Sequence, residues 1–197
     1  MAENRTVIRP QAGPQEEFLR SSADIVIYGG AAGGGKTYGL LLEPLRHVSN
    51  SKFGGVIFRR TYPEVTSEGG LWDVALELYA PLGAQPKIGD LTFIFPSGAT
   101  VSFAHLQHET DKLKYQGAQI CFLAFDELTH FTESQFLYMM SRNRSTSGIR
   151  PYIRATCNPV AAEETPGGWV AKLIDWWLDP ETGFAIPERS GVIRWFV

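Results

Sequence analysis

Asp24-Ile-Val-Ile-Tyr-Gly-Gly-Ala-Ala-Gly-Gly-Gly-Lys36-Thr37 is the stretch from which the fold can be read. Asp24 to Tyr28 is a short apolar run without helical periodicity, which predicts a fully buried strand. Gly30-Ala31-Ala32-Gly33-Gly34-Gly35-Lys36-Thr37 then fits G-x-x-x-x-G-K-[ST]. A helix follows from about Lys36 to His47, with Leu40, Leu41 and Leu45 on one face and Pro44 expected to kink or shorten it. Strand, glycine loop and helix in that order form the context in which the pattern binds phosphate. Glycines allow positive φ, so successive backbone N–H groups can turn inward around a β-phosphate, and the helix dipole adds to the attraction. Lys36 would reach the β- and γ-phosphates of ATP, and the Thr37 hydroxyl would bind Mg²⁺.

Outward from this stretch the same α/β alternation continues. Gln15 to Ser21 reads as a short helix after Pro14, Gly55 to Arg59 as a second buried strand, and Leu71 to Tyr79 as a helix with apolar residues at 71, 72, 75, 76 and 79. Such alternation implies a parallel sheet covered on both faces. Thr92 to Phe95 and Thr100 to Phe103 flank Pro96-Ser97-Gly98 and predict an antiparallel hairpin at the sheet edge. Ile120 to Phe125 is a third buried strand, Glu133 to Ser141 a helix, and Tyr152 to Cys157 a fourth strand. The tail holds an apolar helix, Val170 to Leu178, and a strand-like run from Gly191 to Val197, which reads as a chain continuing into something longer.

Composition narrows the class. The 197 residues are 44% hydrophobic and 20% charged, ordinary globular usage that excludes a collagen-like, coiled-coil or disordered chain and fits one α/β domain. No run approaches the roughly 18 apolar residues of a membrane span, and residues 1–14 lack an apolar signal core, so a soluble, unexported chain is expected. Cys121 and Cys157 lie in apolar or small-residue runs, as buried thiols in a reducing compartment do. His47, His105, His108 and His130 have no Cys or carboxylate partners at zinc-ligand spacing. The formal net charge of −3 argues against a constitutive tight grip on nucleic acid. No acid falls between Glu133 and Glu163, however, while Arg142, Arg144, Arg150 and Arg154 do. That basic stretch is either a solvated face or a surface that meets phosphate or a neighbouring subunit.

Cys121-Phe-Leu-Ala-Phe-Asp126-Glu127 is a buried strand ending in two acids. Placed beside the phosphate loop, Asp126 would hold Mg²⁺ as a Walker-B Asp does, and Glu127 would position or deprotonate an attacking water. Thr156-Cys157-Asn158-Pro159 closes the fourth strand, so Asn158 would emerge at the C-terminal sheet edge, where open α/β sheets bind ligands. There it either senses a γ-phosphate or merely forms an Asn-Pro turn.

The run from Asp24 to Thr37, together with Phe122-Leu-Ala-Phe-Asp-Glu-Leu-Thr-His-Phe131 and Thr156-Cys-Asn-Pro159, resembles the ATPase domain of tailed-phage large terminase subunits over residues 11–197. The resemblance implies a RecA-like P-loop NTPase fold of the ASCE type, with a mainly parallel sheet between helices and antiparallel additions. It identifies Gln15 as similar to the family's adenine-contacting glutamine, and Thr156, Cys157 and Asn158 as its coupling motif, with Asn158 reporting the γ-phosphate. Arg59 and Arg60 look like the segment that lies near DNA or nucleotide, or else are ordinary strand-end cations. Family members work as homo-oligomeric rings on a portal protein with a small terminase subunit, driving double-stranded DNA into a procapsid in the cytoplasm of an infected bacterium, away from any membrane. A ring also needs an arginine from the next subunit at the γ-phosphate; Arg142 and Arg144 are the candidates, with Lys114 a weaker one.

The expectation is therefore one P-loop ATPase domain over residues 1–197, without the C-terminal nuclease of whole large terminases and without cleavage activity. Lys36 neutralises phosphate charge, Thr37 and Asp126 hold the metal, and Glu127 orients the water. Two other readings stay open: the core of a helicase-like or repair DNA translocase, and a nucleotide-gated binding module without turnover.

Overall fold

A computed structural model describes residues 8–30, 33–182 and 186–189. Ala31, Ala32 and the strand-like run 191–197 lie outside the described residues. The chain runs through a short helix α1 (Pro14–Arg20), strand β1 (Ile25–Gly29) and α2 (Lys36–Leu42). Proline at 44 turns the end of α2 into a 3-10 segment, Glu43–Arg46, because its nitrogen has no proton to give an α-helical bond. After β2 (Gly54–Arg59) come α3 (Tyr62–Thr66), α4 (Leu71–Tyr79) and the strands β3 (Gln85–Lys87), β4 (Thr92–Ile94) and β5 (Thr100–His105). β6 (Phe122–Phe125), α5 (Glu133–Met140), β7 (Tyr152–Cys157) and α6 (Gly168–Ile174) complete it.

Among the described residues seven strands form one sheet in the order β1-β7-β6-β2-β5-β4-β3. Strands β1, β7, β6, β2 and β5 are mutually parallel, so their C-terminal ends share one sheet edge. β4 and β3 are added antiparallel. The expected hairpin is present as β4 and β5, but β5 is also the parallel neighbour of β2 rather than a strand of the margin alone. β7 stands between β1 and β6, so the strand that ends in Asp126 is not directly beside β1.

Both faces of the sheet are buried. On β6, Phe122 and Ala124 join a core with Leu40, Leu41, Trp72, Tyr79 and Phe93, whereas Leu123 and Phe125 join Leu128, Phe131, Phe136 and Met139 on the other side. This alternation follows from the two-residue period of a strand. Beside it, Gly55 leaves room that a larger residue would close, since a Cβ there would lie 2.8 Å from Phe122 Cδ1. α4 buries Leu71, Trp72, Ala75, Leu78 and Tyr79, a helical stripe that replaces the expected Leu76 with Leu78; Leu76 is exposed.

One charged pair is also enclosed. Glu43, just past α2, and Arg154, in the middle of β7, are 0% and 2% exposed, with Arg154 Nε 3.4 Å from Glu43 Oε1. Arg46 Nη2 donates to Glu43 Oε2, and Arg154 also donates to the carbonyls of Ser21, Ala23 and Ile153. Burial dominates both titrations, pushing Glu43 up and Arg154 down despite their mutual attraction.

Candidate functional site

At the C-terminal ends of β1, β6 and β7 the chain brings together residues from four separate segments. The loop after β1 uses positive φ at Gly30 (151°), Gly33 (83°) and Gly35 (67°). Gly35 caps α2 in the left-handed region and is wedged against Gln15, whose Nε2 a Cβ on Gly35 would approach to 2.8 Å. Lys36 opens α2 and is nearly buried, with Nζ donating to Gly30 O at 2.9 Å and to Asn158 Oδ1 at 3.0 Å. The ammonium thus spans the loop and the end of β7.

Asp126 is fully buried where β6 ends. Thr37 Oγ1 lies 3.1 Å from both of its carboxylate oxygens, Thr156 Oγ1 donates to Oδ1 at 2.5 Å, and Arg59 reaches Oδ2 with Nε at 2.6 Å and Nη2 at 2.5 Å. The next residue, Glu127, has φ 60° and ψ 60°, a left-handed conformation rare for a side chain of this size. Its N–H donates to Thr156 Oγ1, and its Oε2 is buried without a hydrogen bond among the described residues. Burial, then the charge of Glu127, pushes the Cys157 thiol up to about 11, so the group between the acids and Asn158 stays neutral.

The sequence-derived residues Lys36, Thr37, Asp126, Glu127 and Asn158 are therefore gathered at one sheet edge. Gln15 is close by and buried, but its amide is directed to the chain: Nε2 donates to Gly35 O at 2.7 Å and Oε1 accepts the Gln11 N–H at 2.6 Å. Arg142 and Arg144 are not gathered there. The Arg142 carbonyl accepts from Ile120 N–H and Arg144 Nη2 donates to Ala118 O, which puts both ahead of β6, at the opposite end of the sheet. Lys114 is exposed and paired with Asp111. Arg59 carries the clearest gain over sequence reasoning, which left it open as a strand-end cation; the signal is the adjacency of β2 and β6, which no local pattern reveals.

The Thr37 hydroxyl and the Asp126 carboxylate suit Mg²⁺, which takes few protein oxygens and keeps waters and substrate phosphates for the rest of its shell. Among the described residues no group of three or more His, Cys, Asp or Glu side chains could hold a metal by itself. Nor, among them, is any helix long and apolar enough to cross a membrane.

A mostly parallel sheet between helices, seven-stranded among the described residues, with a glycine loop leading from β1 into α2, is the RecA-like α/β architecture. The chain belongs to the terminase large subunit family, T4likevirus-type, whose N-terminal domain model matches residues 27–190. Solved structures share the fold. The large terminase of a thermophilic bacteriophage superposes with a TM-score of 0.65 at 18% identity, covering 85% of this chain and 44% of that one. The same phage enzyme in complex with ADP gives 0.54 at 18% identity, over 74% of this chain and 38% of that one. The N-terminal domain of the DNA packaging ATPase from bacteriophage phi29 gives 0.56 at 15% identity, over 92% and 98% of the two chains. The chain thus spans less than half of the phage large terminase that it matches. No curated protein is a match.

Proposed function

We propose that this chain is the motor domain of a DNA-packaging terminase, in which Mg²⁺-dependent ATP hydrolysis drives double-stranded DNA into a viral procapsid. The observation that carries the reading is the convergence of Lys36, Thr37, Asp126, Glu127 and Asn158 at the end of the parallel strands. Family membership supports the link to packaging, and the setting proposed with it is a portal protein, a small terminase subunit and the cytoplasm of an infected host.

Mg²⁺, held by Thr37 and Asp126, would supply neutralising charge to the β- and γ-phosphate oxygens. The backbone N–H groups of the glycine loop at Gly33, Gly34 and Gly35 would face the phosphates, and Lys36 trades its bonds to Gly30 O and Asn158 Oδ1 for phosphate oxygens. Gln15, fixed against Gly35, borders the base. Glu127 accepts a proton from water as the water oxygen bonds to the γ-phosphorus and the bond to the ADP oxygen breaks, giving ADP and phosphate. Asn158, released from Lys36, then exchanges its partners with the presence or loss of the γ-phosphate. Arg142 and Arg144, distant from this chain's own site, serve a neighbour's in a head-to-tail ring, where each interface joins different faces of two copies. An arginine supplied in this way raises turnover by about 10³ to 10⁵ in other systems.

The test is ATP turnover per subunit across a wide range of protein concentration, with and without double-stranded DNA, using Glu127→Gln as the blank. Turnover that rises with concentration and vanishes in the blank supports the motor; turnover at the blank's level throughout, with ATP bound, would instead indicate a nucleotide-gated binding module.

A further inference from the structure

Arg59 ends β2, whose neighbour β6 runs directly into Asp126, and it places two donors on a single carboxylate oxygen, Oδ2. Oδ1 is taken by Thr156, and Thr37 Oγ1 lies between the two oxygens. A carboxylate offers about four lone-pair positions, and these contacts use them. Asp126 is fully buried, whereas the Arg59 side chain is 21% exposed. The acid is therefore fixed and its cation has a way out. The next residue does not move with it: Arg60 Nη1 is anchored on Leu106 O at 2.7 Å and Gln135 Oε1 at 2.6 Å, and Thr61 N–H is held by Glu64 in the capping box of α3.

From this geometry we infer that Arg59 is the resident counter-ion of Asp126 and competes with the divalent metal for Oδ2. A metal held by Thr37 and Asp126 would draw on the same carboxylate charge, and two cations on one buried carboxylate repel. Metal binding turns the guanidinium outward, about a backbone pinned by Arg60 and Thr61, and presents a new positive charge at the sheet edge. Arg59 is thus a positioning residue that keeps the site neutral between metal-bound states, sets its metal affinity and signals metal occupancy to whatever lies over that edge. The inference rests on the proposed metal role of Thr37 and Asp126.

Mn²⁺ alone, followed by the loss of its free-ion electron paramagnetic resonance signal on titration with the chain, tests this without turnover. Arg59→Met keeps the apolar stem and removes the competitor, so Mn²⁺ should bind about tenfold tighter or more than to the wild type. The gain should disappear when Asp126→Asn is added. Circular dichroism checks that the variant folds; if Arg59→Met does not, Arg59→Gln, which retains a donor without the charge, carries the same expectation. An unchanged or weakened Mn²⁺ affinity, or a gain that survives Asp126→Asn, overturns the inference. ADP titrated with the metal chelated reports separately: a chain that shows the Mn²⁺ effect but binds no ADP would refute the ATPase reading and leave Arg59 as assigned.

Discussion

The Thr156 hydroxyl lies 2.5 Å from Asp126 Oδ1, a hydrogen bond that ties the end of β7 to the end of β6. Thr156 Oγ1 in turn accepts the N–H of Glu127, so a single side chain holds both acids in register. Thr156→Val keeps the shape and removes the hydroxyl. It leaves a buried carboxylate short of one donor and should cost about 2 kcal/mol of unfolding free energy in denaturant titration. ATP turnover should fall at least about tenfold, because the groups that orient a metal ligand govern its activity. Stability and turnover both within error of the wild type would show that the hydroxyl supports neither acid.

Glu127 combines two features seldom found together in a residue with a large side chain: a left-handed backbone and a buried carboxylate oxygen without a partner. Glu127→Gln should bind ATP within about threefold of the wild type while turnover drops by about 10² or more, the usual scale for loss of a general base. The backbone gives an independent check. Glu127→Gly should be more stable than Glu127→Ala by about 1 kcal/mol, since only glycine adopts that conformation without strain. An equal or lower stability of the glycine variant would contradict the left-handed turn.

The buried pair of Glu43 and Arg154 sets a pH dependence with a definite sign. Burial raises the folded-state value of Glu43 above its ordinary 4.5, so its contribution to stability is fully present below that value and is lost as pH rises through the higher, folded one. Glu43→Gln does not titrate. The stability of the wild type relative to Glu43→Gln should therefore fall as pH is raised above about 4.5. Glu43→Ala, which strips the partner from a buried guanidinium, should cost about 3 to 5 kcal/mol near neutral pH. Urea unfolding curves of the three chains across pH would show the trend; a wild type that gains on Glu43→Gln with rising pH would reverse the assignment.

Both cysteines are free and buried, and Cys157 is held near 11. At pH 8 only about one molecule in 10³ carries the thiolate there, which is the nucleophilic form. Iodoacetamide at pH 8 should leave the folded chain unmodified and label both residues in guanidinium chloride, as mass spectrometry would read. Labelling of native Cys157 at the unfolded rate would contradict its burial.

The parts of the fold that are legible in the sequence are those that local pattern determines. β6 is a continuous apolar run because both of its faces are covered, and α2 is short because Pro44 follows it. α3 is marked in the chain by the capping box of Thr61 and Glu64 and by Pro63 in its first turn, but at five residues it is too short to show an apolar period. β3 could not be read: Gln85, Pro86 and Lys87 are all exposed, and only pairing with β4 makes them a strand. The site divides in the same way. Lys36, Thr37, Asp126 and Glu127 belong to compact motifs, whereas the bond from Arg59 to Asp126 joins residues 67 positions apart and exists because β2 was laid beside β6. Arg142 and Arg144 stand out as a basic cluster, but their place at the far end of the strands depends on the turn after α5.

That same exposed β3 decides how the sheet meets other molecules. A strand at a margin is a template for further strands, and unprotected margins lead to aggregation. Here the margin carries Pro86, which cannot donate to a ladder, and Lys87, whose charge would be stripped of water by an added strand. Copies crowded together at high local concentration are thereby denied edge-to-edge growth on this side, and their contacts are left to side chains, which can release and re-form without unzipping a backbone.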